Sequence, residues 1–218
     1  MVRRYRLLVF DWDGTLLDSA AAIVDALQLA CADIGLGRPS DERARHIIGL
    51  GLNDALRYLV PELAQHDYAK LVERYRVHFR ARDGATTLFP GAAAGLERLE
   101  REGHLLAIAT GKSRRGLERA LERTGLRDRF ATSRCADEGF SKPHPGMLEA
   151  VMDELLIPAD STLMIGDTTH DLLMAANAGV RSLAVSYGAH PREALVALRP
   201  EACVDSTDEL LQWLLANA

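Results

Sequence analysis

Short apolar runs alternate with amphipathic stretches along most of this chain, and the alternation breaks once. Leu7-Leu8-Val9-Phe10 is a continuous apolar run, the pattern of a short buried strand. Residues 20–33 have helical periodicity that stops at Gly35. From about Ser40 to Arg82 no strand pattern occurs. The spacing there predicts helices over 41–48 behind a Ser40 N-cap, over 53–59 ended by Pro61, and over 67–80. After Pro90-Gly91 the alternation resumes: a helix over 92–102, a strand over 105–109 and a helix over 113–124 that ends at Gly125. A short strand near 130–132, a helix over 147–155, a strand over 163–165 and a helix over 171–178 follow. A strand over 182–185, a weak one near 203–204 and a helix over 208–215 complete the chain. Strands alternating with helices predict an α/β fold, a doubly wound parallel sheet. The helical stretch then reads as a small cap of residues 18–85 inserted into an α/β core made of 1–17 and 86–218. No internal repeat interrupts this plan.

Composition changes this picture little but narrows the partners. A chain of 218 residues, 48% hydrophobic, is long enough for one core carrying an insertion. A net charge of −5 supplies no electrostatic reason to expect nucleic acid or an anionic membrane. The start, Met1-Val2-Arg3-Arg4-Tyr5-Arg6, is basic, but only four apolar residues follow before Asp11. That is too short for a signal-peptide core, and no later run reaches membrane-spanning length. Cys31, Cys135 and Cys203 are scattered, odd in number and form no CxxC. They predict free thiols in a reducing cytoplasm.

The chemistry gathers at predicted strand ends. Asp11 and Asp13 stand one residue apart directly after the first apolar run. Like charges there need a cation or a proton to offset their repulsion. In a parallel sheet, ligands bind at the carboxyl ends of the strands. The second strand ends in Thr110-Gly111-Lys112-Ser113 at a helix N-terminus, and a later loop reads Ser141-Lys142-Pro143-His144-Pro145. The next strand ends in Gly166-Asp167-Thr168-Thr169-His170-Asp171. Four Asp, one Lys and a helix N-terminus describe a magnesium–phosphate site, with hard oxygens for the metal and donors for phosphate. Plainer readings stand beside this one. Asp and Gly favour turns, Asp171 suits the first turn of a helix, and Lys142 and Thr110 fit ordinary loop positions. Other signals point nowhere. Gly111-Lys112-Ser113 mimics the end of a P-loop, but that pattern needs Gly where Leu106 stands. The seven histidines show no HExxH spacing, and the arginines at 114–115 and from 119 to 129 alternate with Glu, as solvated helix faces do.

DxDGT, a strand-end Thr, a KPxP lysine and GDxxxD, in this order, resemble the haloacid dehalogenase-like hydrolase superfamily. Within it they are similar to the phosphoglycolate phosphatase-like branch, which carries a helical cap between its first two motifs. The resemblance implies a magnesium-dependent phosphatase of small phosphorylated metabolites. Asp11 would be the nucleophile and Asp13 the acid and base, its backbone carbonyl facing the metal. Magnesium would take carboxylate oxygens of Asp11 and Asp167, with Asp171 behind them or reached through water. Thr110, Gly111 and Lys142 would hold the phosphoryl group. Asp13 separates the chain from dehalogenases, which lack that residue, and from phosphonate-cleaving relatives, which share a Trp at position 12 but have Ala at 13. Sugar phosphomutases and pyrophosphatases keep both Asp residues and stay open, while phosphorylatable receiver domains are shorter and uncapped. The stretch 48–52 is small and apolar, which suits a small ester closed off from water, with Arg45 or Asn53 at its rim. His144 and His170 match no catalytic position of the family and are expected in scaffold or rim roles. Thr110-Gly111-Lys112 departs from the branch's usual Thr-Asn-Lys.

Overall fold

The computed structural model describes residues 4–218. Met1, Val2 and Arg3, the first part of the basic start and of the predicted core, lie outside the described residues. The first elements are β1 (Leu7–Phe10), β2 (Leu17–Asp18), α1 (Ala20–Asp33), α2 (Asp41–His46), α3 (Leu52–Leu59) and α4 (Tyr68–Asp83). Then come β3 (Thr87–Leu88), α5 (Ala92–Arg101), β4 (Leu105–Thr110), α6 (Arg114–Thr124), β5 (Thr132–Cys135) and α7 (Gly146–Leu155). The chain ends with β6 (Thr162–Gly166), α8 (Thr169–Asn177), β7 (Arg181–Val185), α9 (Arg192–Ala197), β8 (Cys203–Val204) and α10 (Thr207–Asn217). Among the described residues, a six-stranded parallel sheet has the order β5-β4-β1-β6-β7-β8.

The continuous apolar run of β1 is explained by its place in the middle of that sheet. Leu8 and Phe10 pack with Leu96 and Leu99 of α5, Leu117 of α6 and Leu214 of α10. Leu7 and Val9 point the other way, against Leu148 and Val151 of α7 and Met174 of α8. Successive side chains of a strand alternate faces, so a strand covered on both sides must be apolar throughout. Each of these four side chains is at most 1% exposed, a burial of about 1.5–3 kcal/mol apiece.

Helices α1–α4 have a separate apolar centre. Ile23, Val24, Leu27 and Cys31 repeat at helical spacing along α1 and meet Leu56, Leu59 and Leu71. The chain enters this block through β2 and leaves through β3, which pair antiparallel as Leu17↔Leu88 and Asp18↔Thr87. Neither strand was predicted, because two residues carry no period. The same holds for α9, a six-residue helix behind Pro191. The fifth strand lies at Thr132–Cys135 rather than 130–132. It is an edge strand of polar residues, and its register on β4, Ala107↔Thr132, sets its limits. Helix α8 starts two residues before the predicted 171, with Thr168 as its N-cap. Cys31, Cys135 and Cys203 are free thiols, and no helix among the described residues is long and apolar enough to cross a membrane.

Candidate active site

The hydrogen-bonding pattern of the central strands carries three chain segments to one sheet edge. Asp11 continues β1, its N–H donating to Ile165 O at 2.9 Å. Thr110 closes β4, and Asp167 follows the last residue of β6. All three are buried, as are Lys142 and Asp171. Lys142 Nζ donates to Asp11 Oδ1 and to Asp171 Oδ1, each at 2.6 Å. Asp171 Oδ2 accepts from Thr168 N at 3.1 Å and from Thr168 Oγ1 at 2.6 Å. Asp171 is therefore a helix-capping residue, as its plainer reading has it, and a partner of Lys142 at once. Asp167 accepts from Thr15 Oγ1 on Oδ1 and from Ala189 N on Oδ2, both at 2.8 Å.

Asp11, Asp167 and Asp171 each offer a carboxylate oxygen, and these oxygens lie within 4.8 Å of one another. One ammonium cannot offset three buried carboxylates. Burial holds the Asp11 carboxyl well above the usual range; Lys142 opposes this, and the Asp171 and Asp167 charges add to it. Burial, then the Asp171 charge, pushes the Asp167 carboxyl up to about 7. For Lys142 burial pulls the other way, but the two carboxylates outweigh it and keep the ammonium charged. Among the described residues, Asp11 Oδ2 is buried without a hydrogen-bond partner. An orphaned carboxylate oxygen within a trio of hard oxygens fits a divalent cation such as magnesium.

Asp13 is aimed elsewhere. Its Oδ1 accepts from Ser19 Oγ at 2.6 Å and pairs with Lys112 Nζ at 3.0 Å. Its carboxylate takes no part in the metal-ready trio, so any metal contact from this residue falls to its backbone. The turn between them needs Gly14, whose φ is +88°. A Cβ there would stand 2.2 Å from Asp167 Oδ2. The sequence did not point to Ser19, nor to Lys112 as a partner of Asp13, since neither spacing nor pattern ties them to that residue.

A cavity of about 520 Å³ opens above Asp11, Asp13, Thr110 and Gly111. Its roof is the stretch 47–55 of the helical block, which contains the apolar stretch 48–52 read from the sequence as closing off the ester. Asn53 lines it, and Arg45 does not. Core and block meet closely here: Gly51 N donates to Ser141 Oγ at 2.7 Å, and a Cβ on Gly111 would lie 2.5 Å from Leu50 O. Backbone cannot yield as a side chain can, so Gly111→Ala should cost about 1–3 kcal/mol in the closed arrangement. It should raise KM more than it lowers kcat. A KM within twofold of the parent would show that the roof does not sit this low during turnover.

Two further groups escaped the sequence. Arg115 and Arg119, expected on a solvated helix face, line the cavity together with Arg76 and Arg80 of α4. His170 Nε2 lies 2.7 Å and His190 Nε2 3.1 Å from the same carbonyl, His46 O at the end of α2. The His46 and His190 rings stack 5.4 Å apart at 9°. Burial lowers the His170 pKa, and burial, then the neighbouring His170 ring, brings His190 down to about 4. His170 thus has the scaffold role expected of it, joining core to helical block. His46 and His190 have no local motif because 144 residues separate them. His144 stacks on Phe140 at 4.1 Å in an exposed loop, away from the carboxylates.

Comparison with known proteins agrees with this geometry. The family model described as haloacid dehalogenase-like hydrolase matches residues 8–185. The chain is 35% identical over 210 residues to "Probable phosphatase IndB" of Dickeya dadantii (strain 3937), covering 94% of this chain and 91% of that one. It is 32% identical to the phosphoglycolate phosphatase of Agrobacterium fabrum (strain C58 / ATCC 33970) over 91% of this chain and 88% of the relative. Among solved structures, a hydrolase from Pseudomonas syringae superimposes with a TM-score of 0.89 at 24% identity, over 97% of this chain and 98% of the other. With the matched span of residues 8–185 running from β1 to the end of β7, the chain belongs to the haloacid dehalogenase-like hydrolase family.

Proposed function

We propose that this protein is a magnesium-dependent phosphatase of phosphorylated metabolites that works through an aspartyl-phosphate on Asp11. The observation that carries the reading is Asp11 itself: one carboxylate oxygen held by Lys142 and the other without a partner, at the floor of a cavity. Curated relatives named as phosphatases support the phosphate chemistry.

In the first step an Asp11 oxygen forms a bond to phosphorus as the bond to the ester oxygen breaks. Asp13 delivers its proton to that departing oxygen. Ser19 and Lys112 both contact Oδ1 of Asp13, which leaves Oδ2 for the travelling proton. In the second step Asp13 takes a proton from water, the water oxygen bonds to phosphorus, and Asp11 is released with inorganic phosphate. Thr110, the Gly111 backbone and Lys142 hold the phosphoryl oxygens. Asp11 and Asp167, with Asp171 behind them and the Asp13 backbone beside them, would hold magnesium. When bound, the metal neutralises phosphoryl charge against the carboxylates. Helices α1–α4 serve as the cap: they roof the cavity and keep water from the aspartyl-phosphate.

Turnover of p-nitrophenyl phosphate with magnesium, and its reversible loss on adding EDTA, is the direct test. Full turnover in EDTA would refute the metal's role. A pH dependence should accompany it. A carboxyl raised to about 7 in the fold binds more protons folded than unfolded, so without metal its contribution to stability falls from about pH 4 through 7. Magnesium replaces that proton. The rise in Tm caused by magnesium should therefore be small at pH 5 and grow by pH 8. A rise that does not change with pH would count against carboxylate ligands.

A further inference from the structure

One backbone carbonyl outside the cavity is shared by two buried imidazoles. His46 is the last residue of α2, where carbonyls have no partner within the helix. His170 Nε2 and His190 Nε2 lie 2.7 and 3.1 Å from His46 O, and a carbonyl can only accept. Both Nε2 atoms therefore carry a proton. The other nitrogen of His190 is committed as well: Nδ1 accepts from Thr169 N at 3.1 Å, with Thr169 Oγ1 at 3.2 Å. Thr169 is the first residue of α8, where N–H groups likewise lack a partner within the helix. One imidazole thus joins the open N-terminus of a core helix to the open C-terminus of a helix in the block. Only a neutral ring with its proton on Nε2 can do this, since an Nδ1–H would face the Thr169 N–H. Three gathered histidines resemble a metal site, but the same bonds leave His190 no bare nitrogen for a metal.

The bridge sits where it can act on the cavity without lining it. The roof stretch 47–55 begins directly after the held carbonyl, and none of the three histidines lines the cavity. Core and roof are close on either side of the bridge. A Cβ on Gly49 would stand 3.0 Å from Thr168 Oγ1, and Ala189, beside His190, is buried in the apolar centre of the helical block. This junction is separate from the chain connections through β2 and β3.

We propose that His170 and His190 are positioning residues that latch the roof onto the core through the His46 carbonyl before substrate arrives. The inference rests on the reading of α1–α4 as the cap. A roof already held in place offers the ester a formed cavity. A roof in place only part of the time weakens apparent affinity by that fraction.

Hydrogen exchange of the ligand-free protein tests the latch directly. Gly51 N donates to Ser141 Oγ across the boundary between roof and core, so its amide reports whether the roof is down. In His170→Leu and His190→Leu, amides of residues 47–52 should exchange roughly tenfold faster than in the parent, while those of β1 and β6 keep the parent's rates. His170→Gln, whose side-chain N–H can reach the same carbonyl, should retain most of the protection. In the leucine variants KM for p-nitrophenyl phosphate should rise about fivefold, with a smaller change in kcat. Unchanged roof exchange overturns the latch, and so does a rise shared equally by β1 and β6, which marks general loosening. Equal loss of protection in His170→Gln overturns it too, because bulk rather than the bond would then hold the roof. A KM within twofold of the parent beside a loosened roof removes the positioning role. If no ester is hydrolysed, the phosphatase reading fails, and the exchange rates alone decide the latch. Nitrogen-15 NMR of the parent needs no variant to fold: both rings should carry the proton on Nε2. A proton on Nδ1 of His190 in place of Nε2 would sink the bridge.

Discussion

Asp11→Asn is expected to lower kcat for p-nitrophenyl phosphate at least 1,000-fold, roughly 4 kcal/mol in barrier height. The change keeps the shape of the side chain, and the Asn oxygen can still accept from Lys142 Nζ, now 2.6 Å from Asp11 Oδ1. What it removes is the carboxylate proposed to bond to phosphorus. Far-UV circular dichroism and Tm should stay close to those of the parent protein. Acid-quenched turnover should trap phosphate on the parent chain and none on the variant. Activity within tenfold of the parent, or a phosphoprotein that survives the substitution, would remove Asp11 from the nucleophile's place.

Lys142→Met should damage both stability and activity. Methionine fills a similar volume, but the Asp11 and Asp171 carboxylates, each 1% exposed or less at the side chain, lose their shared cation. Breaking a buried pair on one side costs about 3–5 kcal/mol. For a chain of this size the fall in Tm is on the order of 10 °C. Magnesium should recover part of that loss, because a second cation offsets the same carboxylates. The recovery distinguishes an electrostatic role from simple packing. kcat should fall by about 100-fold or more through lost charge stabilisation at the phosphoryl oxygens. A variant with the parent's Tm and turnover would make Lys142 an ordinary loop residue.

Much of the core was legible because its signals are local. Leu7–Phe10 reads as a buried strand, since four consecutive apolar residues suit a strand covered on both faces, and the sheet order places it in the middle. Ser113 and Gly125 mark the two ends of α6, the first accepting from Gly116 N and the second turning left-handed at φ 68°. β5 was misplaced because Thr132, Ser133 and Arg134 look like a loop; pairing to β4 alone makes them a strand. The motif residues were legible for a related reason. Asp11, Thr110 and Asp167 follow strands that lie side by side in the sheet, so reading strand ends amounts to reading one edge of the molecule.

Side-chain partnerships were not legible. Asp13 and Lys112 are far apart in the chain, and nothing in their separate motifs ties one to the other; the turn at Gly14 and the end of β4 bring them to 3.0 Å. Arg115 and Arg119 alternate with Glu118 and Glu122, so a helical wheel cannot say which flank faces water. The docking of α4 across the cavity settles it. Periodicity and strand-end residues specify the elements, the order of the motifs and the acid-rich edge, because those follow from neighbours along the chain. The pairing of Lys142 with two carboxylates depends on which loop the core brings to its strand ends, and the meeting of His46 with His170 and His190, like the gathering of arginines from α4 and α6 around the cavity, on how the two apolar cores pack together, over separations that no local pattern encodes.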